Sequence, residues 1–153
     1  MGYIEDLRAL VGHRPVIFVG AVVIILDEHN RILLQQRTFP NGVWGLPGGL
    51  MELAESVEDT ARREVFEETG LTVHDLQLIN VYSGPNHFAV AQNGDEFYVV
   101  TVAFHTNNVE GNLIVDQTES IQLQYFEPDQ FPSDMIGSHR RILQEFMDKF
   151  YHC

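Results

Sequence analysis

Residues 49–71, GLMELAESVEDTARREVFEETGL, contain three glutamates spaced three and four positions apart within a segment of helical periodicity. Glu64, Glu67 and Glu68 would therefore share one helix face, with β-carbons roughly 5–6 Å apart. Like charges so placed repel by about 1 kcal/mol in water and by about 4 kcal/mol where solvent is partly excluded. A hard divalent cation, Mg²⁺ or Mn²⁺, would offset that repulsion, and Mg²⁺ usually binds together with substrate phosphates. The segment predicts a cation site.

The ends of this helix are also marked in the sequence. Ser56 is suited to the N-cap, with Asp59 three residues later in the position of a capping box, and Gly70 is suited to the C-terminal end. A buried stripe is expected on the side away from the glutamates, formed by Val57, Ala61 and Val65. One side of the helix can then contact a sheet while the other faces a cleft.

The same segment resembles the Nudix box without gaps. The matching positions are Gly49, Glu55, Arg63, Glu64, Val65, Glu67, Glu68, Gly70 and Leu71. The resemblance covers about residues 15–150 and implies the α/β/α sandwich of that family, with a mixed β-sheet. It also implies metal-dependent hydrolysis of a nucleoside diphosphate linked to another moiety. The alternative interpretation of the segment is a solvated acidic helix face.

The resemblance assigns the metal ligands. Glu64 and Glu68 are the first candidates and Glu67 is the next. Backbone carbonyls near Gly48 and Gly49 would complete the shell, because glycine lets the backbone approach a metal or phosphate closely. An ordinary turn is the alternative role of the two glycines.

Other positions of the box are expected to hold the carboxylates in place. By similarity, Arg63 belongs to the catalytic group and orients the carboxylates together with Glu55 through its planar fork of donors. The general base stays open, because family members use either a box glutamate or an acidic residue in a later loop. Glu64 and Glu119 are the two candidates, and a solvated loop acid is the alternative for Glu119.

Substrate contacts are predicted outside the box. Arg37 lies where many Nudix proteins carry an arginine near the substrate, and a surface salt bridge is its alternative. Phe39 and Trp44 could stack on a base, or serve only in packing. Pro85, about fifteen residues past the box, resembles a proline that marks ADP-ribose pyrophosphatases, although a proline after a strand is usually a turn former.

Several substrates fit these residues. ADP-ribose and related nucleoside diphosphate derivatives stand beside a MutT-like activity on nucleoside triphosphates such as 8-oxo-dGTP. A nucleotide sensor without catalysis is a separate class, but such domains often lose box glutamates that are all present here. Hydrolysis at an RNA 5′ end shares the chemistry but requires a polyanion to bind.

Composition limits the partners. The chain has 153 residues and a formal charge of −13, which argues against long RNA or DNA as a partner. Its length suits one domain over residues 1–153, and a single cysteine, Cys153, excludes a disulfide framework. The apolar run 16–26 is too short to span a bilayer as a helix. We expect a soluble, cytoplasmic protein without membrane contact that binds a small nucleotide.

The rest of the chain predicts alternating helices and strands. A short amphipathic helix at residues 3–12 could contribute to a homodimer. Strands are expected at 16–26 and 32–37, joined by a connection of hairpin length, with a loop over 38–49. Later strands follow at 77–83, 96–105 and 121–126, and a helix with Ser133 as its cap spans 133–151. Zinc, serine-nucleophile and P-loop patterns are absent from the sequence.

Overall fold

Helices and strands alternate along the chain in the computed structural model, which describes residues 2–151. The helices are α1 (Tyr3–Val11), α2 (Val57–Thr69) and α3 (Gly137–Lys149). The strands are β1 (Val16–Ile25), β2 (Ile32–Arg37), β3 (Trp44–Gly45), β4 (Gly48–Leu50), β5 (Thr72–His74), β6 (Gln77–Tyr82), β7 (Phe88–Val90), β8 (Glu96–Thr106), β9 (Asn108–Glu110) and β10 (Ser120–Phe126). Cys153 lies outside the described residues.

The largest sheet is mixed. Its strand order is β4-β1-β8-β6, with β7 also paired to β8. The long strands β1 and β8 run parallel, from the pair Val16 and Phe97 to the pair Ile25 and Thr106, whereas β4, β6 and β7 pair antiparallel. A second sheet has the order β10-β2-β3, and β5 pairs with β9.

Strand β1 separates two hydrophobic cores because successive side chains point to opposite faces. On one face Ala21 and Val23 contact the α2 core, which includes Ala61 and Val65. On the other face Val22 and Ile24 belong to the core of α3, together with Ile142, Leu143 and Phe146. The mixed α/β fold class predicted from the sequence is confirmed.

The connection between β1 and β2 is short, as predicted, but the two strands share only one bridge. Leu26 and Ile32 form one antiparallel bridge, after which the two strands enter different sheets. The predicted loop over 38–49 also contains β3 and the start of β4. These elements are only two and three residues long, so alternation of apolar and polar residues cannot reveal them.

The C-terminal helix begins later than predicted. Its N-cap is Ile136, without a side-chain cap, and not Ser133. The preceding residues bind the backbone of β3 instead: Trp44 N–H donates to the Asp134 carbonyl and Ile136 N–H donates to the Trp44 carbonyl, both at 2.9 Å. These long-range bonds satisfy backbone groups that a longer helix would have used.

Within residues 2–151, no helix is both long and apolar enough to cross a membrane.

Candidate active site

Helix α2 presents the box glutamates because both of its ends are fixed as the sequence predicts. Asp59 N–H donates to Ser56 Oγ at 3.0 Å, and Ser56 N–H donates to Asp59 Oδ2 at 3.4 Å. At the other end Gly70 has a φ of 77°, a left-handed conformation that favours glycine, and its N–H donates to Phe66 O. Ala61 and Val65 are buried on the side that faces the sheet.

Arg63 connects three of the box acids. Its Nε donates to Glu55 Oε2 at 2.6 Å and its Nη2 donates to Glu55 Oε1 at 2.9 Å, so that pair is bidentate. Nη1 donates to Glu64 Oε1 at 2.8 Å and lies 3.5 Å from Glu67 Oε2. Nη2 also donates to the Leu50 carbonyl at 3.0 Å. The guanidinium therefore links the loop before α2 to the helix face.

Glu55 is held as a carboxylate by this arrangement. The hydrogen bond from Arg63 lowers the pKa of Glu55 to about 2, and bonds from Glu52 N–H and the Thr60 hydroxyl contribute. The same pair raises the pKa of Arg63. The ion pair is thus fully charged at neutral pH, which agrees with the orienting role that the box resemblance implies for both residues.

The paired glycines make room for two of the glutamates. A β-carbon on Gly49 would overlap the carboxyl group of Glu64, with Oε1 2.6 Å away. A β-carbon on Gly48 would overlap the Ala21 carbonyl oxygen, and Gly48 N–H donates to Glu68 Oε1 at 2.9 Å. Both positions therefore require glycine on steric grounds.

Glu64 and Glu68 lie in a partly desolvated, negatively charged environment. Burial raises the pKa of Glu64 to about 7, the hydrogen bond from Arg63 opposes this change, and the charges of Glu67 and Glu119 add to it. Burial also raises the pKa of Glu68 to about 8, although Gly48 N–H and Arg37 favour its ionised form. Glu67 is more open, with 53% of its side chain exposed.

Arg37 and Glu119 belong to the same electrostatic group as the box glutamates. Arg37 ends β2 opposite Ser120, the first residue of β10, and Thr38 N–H donates to the Glu119 carbonyl at 3.3 Å. Burial lowers the pKa of Arg37, while the carboxylates of Glu68 and Glu119 raise it. Partial burial, Asp116 and Glu67 raise the pKa of Glu119, and Arg37 opposes them. The structure thus brings Arg37 and Glu119 towards α2.

One hydrogen-bond donor of Arg37, the buried Nε, has no partner among the described residues. A buried donor without a partner is costly, roughly 1–3 kcal/mol, and more for a charged group. An anionic oxygen would satisfy this donor.

The three remaining predicted contacts have different surroundings. Phe39 is exposed, at 44% of its surface, in the turn after β2. Trp44 is buried in the α3 core, where its ring meets Phe126 edge to face at 5.0 Å. The structure therefore gives Trp44 a packing role and little free surface for stacking on a base. Pro85 is exposed and begins a single 3₁₀ turn between β6 and β7, as expected of a turn former.

Two residues beside the site were missed in the sequence. His139 of α3 accepts a 2.9 Å hydrogen bond from Leu46 N–H, between β3 and β4, and its Nδ1 would lie 2.9 Å from a β-carbon on Gly45. Gln35 is buried in β2 and its amide donates to Ser120 Oγ at 2.6 Å, next to Glu119. A lone histidine in a helix gives no signal in sequence, whereas a glutamine in an apolar strand run could have been noticed.

The donor set suits a hard divalent cation. Carboxylate oxygens of Glu64, Glu67 and Glu68 are of the type that Mg²⁺ and Mn²⁺ prefer. Among residues 2–151 no three acidic, histidine or cysteine side chains already surround one point as a complete metal cage. Instead, Glu64 binds Arg63 and Glu68 binds Gly48 N–H. The residues therefore fit a divalent cation by the chemistry of their oxygen ligands and by the position of three carboxylates on one side of α2.

Known proteins share both the sequence pattern and the fold. A family model described as NUDIX domain matches residues 17–146. A Bacillus subtilis strain 168 protein named "Putative 8-oxo-dGTP diphosphatase" is 33% identical over 127 residues, covering 83% of this chain and 78% of that protein. An ADP-ribose pyrophosphatase of Methanocaldococcus jannaschii is 30% identical over 129 residues, covering 83% of this chain and 72% of that protein.

A solved structure agrees with these matches. The crystal structure of a MutT NUDIX hydrolase from Burkholderia pseudomallei aligns with a TM-score of 0.71 at 28% identity, covering 86% of this chain and 98% of that one. The family model alone covers most of the chain. The chain therefore belongs to the Nudix hydrolase family.

Proposed function

We propose that this chain is a single-domain, Mg²⁺- or Mn²⁺-dependent hydrolase that cleaves the pyrophosphate bond of a nucleoside diphosphate derivative. The observation that carries the proposal is the placement of Glu64 and Glu68 against Gly49 and Gly48, with Arg37 in the same electrostatic group. Carboxylates for a cation and a buried guanidinium with a spare donor are together suited to a polyphosphate.

The protein side chains divide the work as follows. Glu64, Glu67 and Glu68 would hold the cation, with backbone carbonyls near Gly48 and Gly49. When bound, the cation would neutralise charge on the phosphoryl oxygens and favour deprotonation of water. The residues Arg63 and Glu55 fix the direction of Glu64, since a planar bidentate pair restricts both partners.

Chemistry at phosphorus then requires positioning and one proton transfer. Arg37 Nε would donate to a phosphate oxygen of the substrate. A water oxygen forms a bond to phosphorus, the bridging P–O bond breaks with its electron pair on the departing phosphate, and a carboxylate accepts the proton of the water. Glu64 is the proposed acceptor, and Glu119, whose charge acts on Glu64, is the alternative.

The base of the substrate would contact the exposed ring of Phe39, near Arg37, and Pro85 would shape the turn beyond β6. An ADP-ribose-like substrate is our first proposal, supported by Pro85 and by the Methanocaldococcus relative. A triphosphate such as 8-oxo-dGTP is the second, supported by the Bacillus relative. We propose a cytoplasmic location, because the chain has a single cysteine, and a small nucleotide as partner, because the formal charge of −13 disfavours long nucleic acid. A homodimer through α1 stays a prediction.

A substrate screen tests the proposal. The full chain would be incubated with ADP-ribose, 8-oxo-dGTP, normal triphosphates and a 5′-triphosphorylated RNA, with Mg²⁺, Mn²⁺ or EDTA, and the products separated. We expect AMP and ribose 5-phosphate from ADP-ribose, or a monophosphate and pyrophosphate from a triphosphate, only when a cation is present. Binding of a nucleotide without any product would favour the sensor alternative and overturn the proposal.

A further inference from the structure

A second concave site lies on the α3 side of the main sheet. A cavity of about 370 Å³ opens where β1 and β8 end and the last turn of α3 passes over them. Its volume falls within the range of small-molecule pockets, roughly 300–1,000 Å³. The residues that line it include none of those proposed for hydrolysis, and the box glutamates belong to α2, which packs on the opposite face of the main sheet.

Aromatic rings form one wall of this cavity. The His105 ring lies 4.9 Å from Phe150 and 5.1 Å from Phe146, tilted by 38° and 51°. Phe146 is buried, whereas Phe150 remains 37% exposed. Burial lowers the pKa of His105, so its imidazole is neutral at neutral pH and offers one donor and one acceptor. The wall is thus suited to contact with a planar ligand.

Solvent-exposed polar side chains that form no hydrogen bond with other described residues stand around the aromatic wall. Gln77 pairs directly with His105 in the ladder of β6 and β8, so the two side chains project to the same face. Asn107 follows the end of β8. Within residues 2–151 neither amide side chain forms a hydrogen bond, and the same holds for the His105 ring. Donors and acceptors therefore converge beside an apolar surface, as in ligand pockets.

The charge of the cavity disfavours a phosphate group. The residues that line it include no lysine or arginine, and Asp75 is the one charged residue among them. Asp75 Oδ2 accepts a 2.6 Å hydrogen bond from Asn108 Nδ2. The whole chain carries a formal charge of −13, which adds to the repulsion of an anion. A phosphorylated ligand would bind here less well than its uncharged form.

We propose that this cavity binds an uncharged, planar nitrogen heterocycle of nucleoside type. The ring would stack against Phe150 and His105, and its edge would exchange hydrogen bonds with Gln77, Asn107 and Asp75. The site is independent of the hydrolytic cleft and takes the nucleoside without its phosphates.

Calorimetry with the full chain tests the proposal. Adenosine and AMP would be titrated in EDTA, which removes divalent cations and prevents turnover. We expect one adenosine per chain and binding of AMP at least tenfold weaker. Asp75→Asn should reduce that difference to threefold or less, because it removes the negative charge while keeping the acceptor oxygen. No binding of adenosine up to 10 mM, or tighter binding of AMP than of adenosine, would overturn the proposal.

Variants locate the bound nucleoside. Phe150→Ala should weaken adenosine at least tenfold, and Asn107→Ala, on an exposed position, at least threefold. Phe88→Ala is the matched control, because Phe88 is similarly exposed, at 42%, but lies on β7 outside the cavity. If Phe150→Ala loses its cooperative thermal transition, Asn107→Ala and Gln77→Ala decide the question, and wild-type affinity in both would overturn the assignment.

The variant Phe39→Ala separates this proposal from the hydrolytic one, because Phe39 is the ring proposed to contact the substrate base in the hydrolytic cleft and it does not line the cavity. It should bind adenosine as the wild type does. Loss of adenosine binding there, with normal binding in Phe150→Ala, would place the nucleoside in the hydrolytic cleft and refute the second site. Failure of every nucleotide to be hydrolysed would leave the adenosine result unaffected, since the titration needs no turnover.

Discussion

The candidate site has two halves. The box half comprises residues 48–70, and the strand half comprises Arg37 and Glu119, beside β2 and β10, with His139 of α3, which contacts the residue after β3. The two halves differ in how far apart in the sequence their contacting residues lie. In the box half Arg63 reaches Glu55 across eight positions. In the strand half Thr38 meets Glu119 across 81 positions and Leu46 meets His139 across 93. Local contacts leave a motif in the sequence, whereas distant contacts leave only single residues.

The largest expected effect decides which half supplies the base. Glu64→Gln keeps the size of the side chain but removes its charge and its ability to accept a proton. Loss of a general base typically costs 10²–10⁴-fold, so we expect kcat to fall by about 10³-fold. Glu119→Gln should lower kcat by about tenfold or less. Steady-state kinetics in saturating Mg²⁺, on the substrate found in the screen, measure both.

Two outcomes would contradict this assignment. Near-wild-type kcat in Glu64→Gln would exclude Glu64 as base or as a ligand of an essential cation. A loss in Glu119→Gln that equals or exceeds the loss in Glu64→Gln would transfer the base to the strand half. Thermal unfolding of both variants serves as the control for folding.

The box half shows how much the sequence can predict. The caps of α2, its buried stripe and the contact of Arg63 with Glu55 all follow from residues a few positions apart. The strands β1 and β8 also follow from the sequence, because long runs rich in apolar residues are a direct signal of buried strands. Pairing between them was not, because register depends on the whole sheet.

The strand half shows where sequence reasoning ends. The sequence leaves Trp44 open between stacking on a base and packing, and the structure shows the ring packed against Phe126, with backbone bonds from residues 134–136 to Trp44. Those same backbone bonds delay the start of α3 to Gly137. Neither the burial of Trp44 nor the late start of α3 has a local signal in the sequence, because the contacts responsible join residues more than eighty positions apart. A short strand and a lone histidine become visible only when their partners are known.

A glycine substitution tests the geometry of the box half. Gly49→Ala places a β-carbon on the Glu64 carboxyl group, which must move by about 1 Å. Misplacement of that size can cost about 10²-fold in rate, so we expect a similar loss of kcat. Gly137→Ala is the matched control, because its β-carbon would meet nothing within 4 Å. It should keep kcat and gain about 0.4–1 kcal/mol of stability. Equal kcat in the two variants would contradict the steric role of Gly49.

The ion pairs of Arg63 with Glu55 and Glu64 should also stabilise the fold. Arg63→Gln leaves Glu55 and Glu64 without their charged donor. Since 29% of the Arg63 side chain is exposed, we expect a loss of about 2–3 kcal/mol, below the value for a fully buried pair. The melting temperature would fall by roughly 4–12 °C. Arg62→Gln, at a 46% exposed position 3.9 Å from Asp59, should change stability by at most about 0.5 kcal/mol. Similar losses in both variants would reduce Arg63 to a surface charge.

In the strand half, His139 should make stability depend on pH. Burial, with the nearby charge of Arg37, lowers the pKa of His139 to about 3 in the folded protein. The unfolded chain binds that proton near pH 6.5, so the folded state keeps its full stability above pH 6.5 and loses it as the pH falls towards 3. Between pH 7 and pH 5 this one group should cost about 2 kcal/mol.

Substitution by asparagine isolates that contribution. His139→Asn can still accept the hydrogen bond from Leu46 N–H through its Oδ1, but it cannot take up a proton. Urea unfolding at pH 7 and pH 5 should therefore show a loss smaller by about 2 kcal/mol in the variant than in the wild type. His29→Asn, at a side chain that is 66% exposed, should keep the wild-type difference. If His139→Asn and the wild type lose equal stability, the neutral imidazole does not hold β3 to α3, and the strand half depends on the backbone bonds of Trp44 alone.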